Sequence, residues 1–247
     1  MAETRGLRLG SFAGAPIIVD QTIVLLIAYV LGSAVLSGGV ASLPAALIFL
    51  AAILLAVLLH EFGHAGVAAA LKLRSKHIML TFFGGYVEFE EEPRARWQEI
   101  AVSFAGPAVN LLCAAALPFI IRGLSETGWP SRDTPLALSF FDSFYYVSLV
   151  LGAFNLLPGF PLDGGRILRA ALAYFMARQR AYLLAAWIGL IIAIGIGGFA
   201  VSQQMWWTLF IAALLALAAW AEIRRARAAL AAGDQPPPAS PSTTSNA

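Results

Sequence analysis

Two histidines and a glutamate, His60-Glu61-Phe62-Gly63-His64, lie inside an almost unbroken apolar run over residues 43–71. On a helix the histidines stand four residues apart, about 40° around the axis and about 6 Å along it. Both imidazoles therefore share one face and can grip one divalent cation, and the adjacent glutamate can reach a water on that ion. Ionisable groups at bilayer depth are costly and mark functional sites. With three histidines and nine glutamates in 247 residues, this pattern arises by chance on the order of once per thousand such chains. The competing reading is a histidine pair hydrogen-bonding neighbouring helices with no metal, which leaves the Glu61 carboxylate unpaired in hydrocarbon. The residues predict zinc hydrolysis within a membrane, with one Zn2+ per chain.

The elements that must position this cluster are membrane spans. Of the chain, 60% is hydrophobic and 12% charged, a composition that excludes an ordinary soluble domain of this size. Spans need about 20 largely apolar residues, and six stretches qualify: 17–36, 43–71, 100–121, 140–157, 181–200 and 205–221. With a cytoplasmic N-terminus, fourteen of the sixteen Lys and Arg residues fall on one side and only Arg122 and Arg132 on the other. This bias places both termini, and the inner end of the second span with its histidines, towards the cytoplasm of a multi-pass cell-membrane protein. The same bias accounts for the basic residues without nucleic acid as a partner.

A tetrahedral zinc held by two histidines needs one more protein ligand and a water. Three aspartates lie near apolar spans: Asp20, Asp142 and Asp163. Spans two and four both run inward, so Asp163, just past the broken end of span four at Pro158-Gly159-Phe160-Pro161, arrives at the depth of the histidines. Asp142 lies at the opposite face. Asp20 suits a helix start at the membrane boundary. Asp163 is the expected third ligand; the alternative for it is an Asp-Gly turn.

Residues 78–89 are rich in Phe, Tyr, Val and Thr around Gly84-Gly85 and predict a β-hairpin or small sheet at the membrane surface. His77 reads as an interfacial residue, and Cys113, the single cysteine, as a packing residue in span three. Trp129, Trp187, Trp206 and Trp207 read as interfacial anchors or packing residues. From about Gly233 the chain turns to Pro, Ser and Thr and is expected to be disordered. The predicted organisation is one membrane core over 1–232 and a tail over 233–247. The fold class is an all-α polytopic membrane protein of six transmembrane helices, with a small membrane-associated β-hairpin or sheet between helices 2 and 3.

His60-Glu61-Phe62-Gly63-His64, together with Asn155-Leu156-Leu157-Pro158-Gly159-Phe160-Pro161-Leu162-Asp163-Gly164-Gly165-Arg166, resembles the site-2 protease family of intramembrane zinc metalloproteases, peptidase family M50. Phe104-Ala105-Gly106-Pro107-Ala108-Val109-Asn110 and Phe83-Gly84-Gly85-Tyr86 also resemble family segments, the latter part of a membrane-associated β-layer. The resemblance implies His60, His64 and Asp163 as metal ligands, Glu61 as general base and Asn155 as an oxyanion donor. It implies transmembrane or membrane-tethered protein substrates such as anti-sigma factors, tethered transcription factors or remnant signal peptides. The PDZ insertion and paired CBS domains of many relatives have no counterpart in this sequence. A helical substrate must unwind to be cut, and strand addition to 78–89 offers one means. The alternatives are a metal transporter using the same cluster, or a proteolytically silent scaffold. The glutamate between the histidines favours hydrolysis over both.

Overall fold

The computed structural model describes residues 6–91, 93, 95–127, 129–130 and 134–231. The tail expected to be disordered, 233–247, lies outside the described residues. Chain contacts divide the protein into two compact units, Met1–Leu157 and Pro158–Ala247.

The first unit runs β1 (Gly6–Phe12), β2 (Ala15–Asp20), α1 (Ile23–Gly38), α2 (Leu43–Ala70), β3 (Ser75–Thr81), β4 (Gly84–Phe89), α3 (Arg96–Ser125) and α4 (Pro135–Asn155). The first apolar stretch therefore divides, and residues 17–20 belong to a strand rather than to a span. β-Branched Ile17, Ile18 and Val19 suit extended backbone, and they pair in parallel with Ile78, Met79 and Leu80 of β3. Asp20 then turns the chain into α1: its Oδ1 accepts the Thr22 backbone N–H at 2.8 Å and the Thr22 hydroxyl at 2.6 Å. Those two bonds hold the Asp20 carboxyl below the usual carboxylate range.

The hairpin expected between helices 2 and 3 is present as β3 and β4, but it forms half of a four-stranded sheet ordered β1-β2-β3-β4. The all-α expectation is corrected accordingly. The missed half lay in a parallel pairing between residues some sixty positions apart, which no local pattern announces. Among the described residues, five helical stretches are long and apolar enough to cross a membrane: Val40–Ala70, Arg96–Ser125, Pro135–Asn155, Arg178–Ser202 and Trp206–Ala231. Against the six spans expected, α1 has 16 residues, short of the roughly 20 that a crossing needs.

In α2 the buried positions Ala52, Ala56, His60, His64 and Ala68 recur every fourth residue. In α3 Val102, Gly106, Asn110 and Ala114 do the same. Ridges of this spacing interlock, and small residues let the backbones approach. A Cβ on Gly63 would lie 2.6 Å from the Ala105 carbonyl oxygen, so only glycine fits there. Helix α4 closes on both through Phe144, Ser148 and Gly152, with Ala52, Ala56, Leu117 and Phe144 forming the shared core. The sheet packs on α2 through Ala15, Ile17 and Ile78 against Ala65, with Phe12 stacked on Phe62 at 4.1 Å. Helix α1 meets α2 at Val30, Ala46 and Leu50.

The second unit holds α5 (Asp163–Leu172), α6 (Arg178–Ser202) and α7 (Trp206–Ala231). Helices α6 and α7 form a hairpin whose buried positions are mostly alanine, again permitting close backbones in an apolar setting. Gly165 and Gly189 each face the Gly159–Phe160 backbone, where an added Cβ would come within 2.8 Å. The Pro158–Pro161 break is thereby held against α5 and α6.

Candidate metal centre

His60, Glu61 and His64 are 5%, 3% and 7% exposed on the inner face of α2. The two rings meet edge to face with centroids 4.7 Å apart. Each is held through Nδ1 by α3. His60 Nδ1–H donates to Asn110 Oδ1 at 2.6 Å, and Asn110 is oriented by donating its own amide to the Ala56 carbonyl at 3.0 Å. His64 Nδ1–H donates to the Val102 carbonyl oxygen at 2.7 Å. Because Oδ1 and a backbone carbonyl only accept, each Nδ1 carries a proton, and in the neutral ring Nε2 is then the nitrogen left to ligate a metal. Outer partners of this kind set the tautomer and ring orientation of metal-ligating histidines.

The two imidazoles offer ligand nitrogens within 4.8 Å of each other. A Cβ added to Gly106 would collide with His64 Nε2 and lie 2.8 Å from His60 Nε2. Gly106 thus lets the α3 backbone lie directly against the edges of both rings. Zinc suits this donor chemistry: neutral imidazole nitrogens, a dry surround and fixed outer partners.

The Glu61 side chain lies against β4. A Cβ on Gly85 of β4 would lie 2.5 Å from Glu61 Cγ and 2.6 Å from Oε1, so the β4 backbone runs directly over the carboxylate. This brings the Gly84-Gly85 stretch to the centre itself.

The other residues singled out from the sequence fall elsewhere. Asn155, the last residue of α4, donates one amide N–H to Leu151 on its own helix at 2.9 Å. In the second unit Asp163 opens α5 and is 8% exposed, where a carboxylate favours the positive end of the helix. Asp142 is exposed. His77 is buried on β3 opposite Glu88 of β4, with 3.5 Å between Nε2 and Oε2. Lys76 bonds the same Glu88 at 2.7 Å and holds its carboxyl below the usual range. Three contributors were given no role at the metal by the sequence reading: Asn110 and Gly106, named there only within a family-like segment, and Val102. The signal available for them was their stride of four on α3, which matches that of the α2 histidines.

Two imidazoles able to hold a metal ion and a buried carboxylate thus lie together on a helix long and apolar enough to cross a membrane. The sequence model of peptidase family M50 matches residues 48–132 and 132–196, and the chain belongs to that family. It is 34% identical over 208 residues to the putative zinc metalloprotease sll0528 of Synechocystis, covering 76% of this chain and 52% of that protein. It is 31% identical over 185 residues to the zinc metalloprotease MJ0392 of Methanocaldococcus jannaschii, covering 74% and 50% respectively. The chain therefore spans about half the length of the curated relatives it matches. Among solved structures, the site-2 protease from Methanocaldococcus jannaschii superposes with a TM-score of 0.62 at 25% identity, covering 89% of this chain and 95% of that one.

Proposed function

We propose that the chain is a zinc endopeptidase that hydrolyses peptide bonds of transmembrane or membrane-tethered proteins beneath the membrane surface, near its cytoplasmic face. The observation that carries this reading is the pair of His60 and His64 ligand nitrogens, within 4.8 Å of each other, with the buried Glu61 next to His60 on the same helix. The ligand set is His60, His64 and Asp163, all three buried and of metal-ligating type. Among the described residues Glu61 and Asp163 are the buried carboxylates, one for proton transfer and one for the metal. Zinc, when bound, supplies Lewis acidity that polarises a scissile carbonyl and eases deprotonation of water.

The chain's own residues handle the proton and the charge. Glu61 takes a proton from the attacking water as the new C–O bond forms, then passes it to the amide nitrogen as the C–N bond breaks. The Gly85 backbone limits where that carboxylate can swing. Asn155 has a second amide N–H beyond the one bound by Leu151, and this can donate to the developing oxyanion. With α1 as a sixth crossing, the Lys and Arg asymmetry supports cytoplasmic termini. Family kinship supports anti-sigma factors, tethered transcription factors or remnant signal peptides as substrates. Mass spectrometry of membrane-protein fragments in cells carrying the wild type or Glu61→Gln tests the function: fragments present only with the wild type support it, and identical fragment sets refute it.

Two further outcomes are expected. Asp163→Asn should weaken zinc binding by about 100-fold or more, since loss of even an outer partner costs about 10–100-fold; unchanged zinc content in purified protein would remove Asp163 from the ligand set. The second concerns β4, which has a neighbour on one side only in the sheet and can accept an unwound substrate as an added strand. Proline scanning from Tyr86 to Phe89 should slow cleavage by up to about tenfold at positions whose N–H faces the open edge. Wild-type rates at every position would eliminate strand addition.

A further inference from the structure

The turn between α5 and α6 carries a basic and aromatic cluster that hydrolysis does not use. Over residues 158–202 the sequence has four arginines, Arg166, Arg169, Arg178 and Arg180, against the single carboxylate Asp163. Two of these arginines share one ring: the Arg169 guanidinium carbon lies 4.6 Å from the Tyr182 centroid and that of Arg178 lies 5.3 Å from it. Arg178 Nε also donates to the Tyr182 hydroxyl at 2.7 Å. Gathering two like charges on one tyrosine concentrates positive potential and favours an anion nearby.

Beside this cluster Tyr174 and Phe175 are 51% and 86% exposed. Their turn is not loose. Tyr174 N–H bonds the Ala171 carbonyl, and the Phe175 and Met176 N–H groups both bond that of Leu172. An ordered turn that holds a phenylalanine almost bare presents it to a partner. The location says which. Helix α6 is a membrane-crossing stretch beginning at Arg178, so the turn sits where that span meets the headgroup layer. Aromatic rings favour that depth, and guanidinium groups bind phosphate there through paired hydrogen bonds.

We propose that the α5–α6 turn is a binding site for an anionic phospholipid. Arg169 and Arg178 take the phosphate, and Tyr174 and Phe175 enter the border of the acyl chains. The site is independent of the zinc centre and of the proteolytic reading.

Native mass spectrometry of the full chain in detergent, with phosphatidylglycerol or phosphatidylcholine added, tests it. The wild type should retain phosphatidylglycerol in preference. Each basic residue near an anionic surface contributes about fivefold, so Arg169→Gln with Arg178→Gln should weaken phosphatidylglycerol binding by about thirtyfold and leave phosphatidylcholine unchanged. The corresponding double lysine variant should keep most of the affinity. A second readout places an environment-sensitive fluorophore on Phe175→Cys in a Cys113→Ala background, in vesicles of both lipids carrying a doxyl quencher. Quenching at 175 is expected. Equal retention of the two lipids by the wild type, retention unaffected by the glutamine pair, or a label beyond reach of the quencher would each overturn the proposal.

Discussion

Glu61→Gln should lower kcat on any cleaved substrate by about 10²- to 10⁴-fold, the range that a positioned proton carrier contributes, while one zinc per chain remains bound. Glutamine keeps the length and shape of the side chain beneath the Gly85 backbone, so packing is preserved. It loses the ability to accept the proton from water and to return it to the leaving nitrogen. The two histidines retain their Nδ1 partners on α3, so metal affinity has no reason to fall. Kinetics on a reconstituted membrane substrate, paired with elemental analysis of the same preparation, separates the outcomes. Full activity would mean that Glu61 is not the base. Loss of zinc with loss of activity would place Glu61 in the metal environment instead. A transporter built on the same ligands would move zinc across vesicles equally well with glutamine at this position.

Adding a methyl group where α3 meets the two imidazoles should fall chiefly on the metal. Gly106→Ala places a methyl group against both Nε2 atoms. Overpacking costs about 1–3 kcal/mol where neighbours can yield; here the neighbours are the ligands, and they are tied down through Nδ1. Zinc affinity should therefore drop by about 100-fold or more. Asn110→Ala is the graded companion. It frees the His60 ring to rotate and should weaken zinc by about 10–100-fold, the range for outer-partner loss. Competition titration with a zinc chelator measures both variants, and size-exclusion profiles in detergent report whether the fold survives. Wild-type affinity in Gly106→Ala would show that the contact between Gly106 and the imidazoles does not position the ligands.

Much of this was legible before any coordinates. His60, Glu61 and His64 announce themselves through a spacing that a helix converts directly into a shared face, and the apolar run around them states the medium. Helix α2 matches the expected second span almost residue for residue. Where the reading failed, the failures share a cause. Ile17, Ile18 and Val19 are as apolar as any span residue, and hydropathy alone cannot tell a buried strand from the start of a helix. Their partner strand lies across α1 and α2 in sequence, so the four-stranded sheet was invisible. Asn110 and Gly106 looked like packing residues because small and amide side chains serve packing in every membrane helix.

The sequence by itself determined the class of chemistry, the medium and the helices, because each is written in short-range periodicity and composition. Only the tertiary structure decided which atoms hold the histidines by Nδ1, which glycine their ring edges meet, and which strand covers Glu61. Those are contacts between residues 24 to 50 positions apart, as in Glu61 with Gly85 and His60 with Asn110. Such contacts arise when two helices interlock through small side chains, and local sequence does not encode which residues will then face each other.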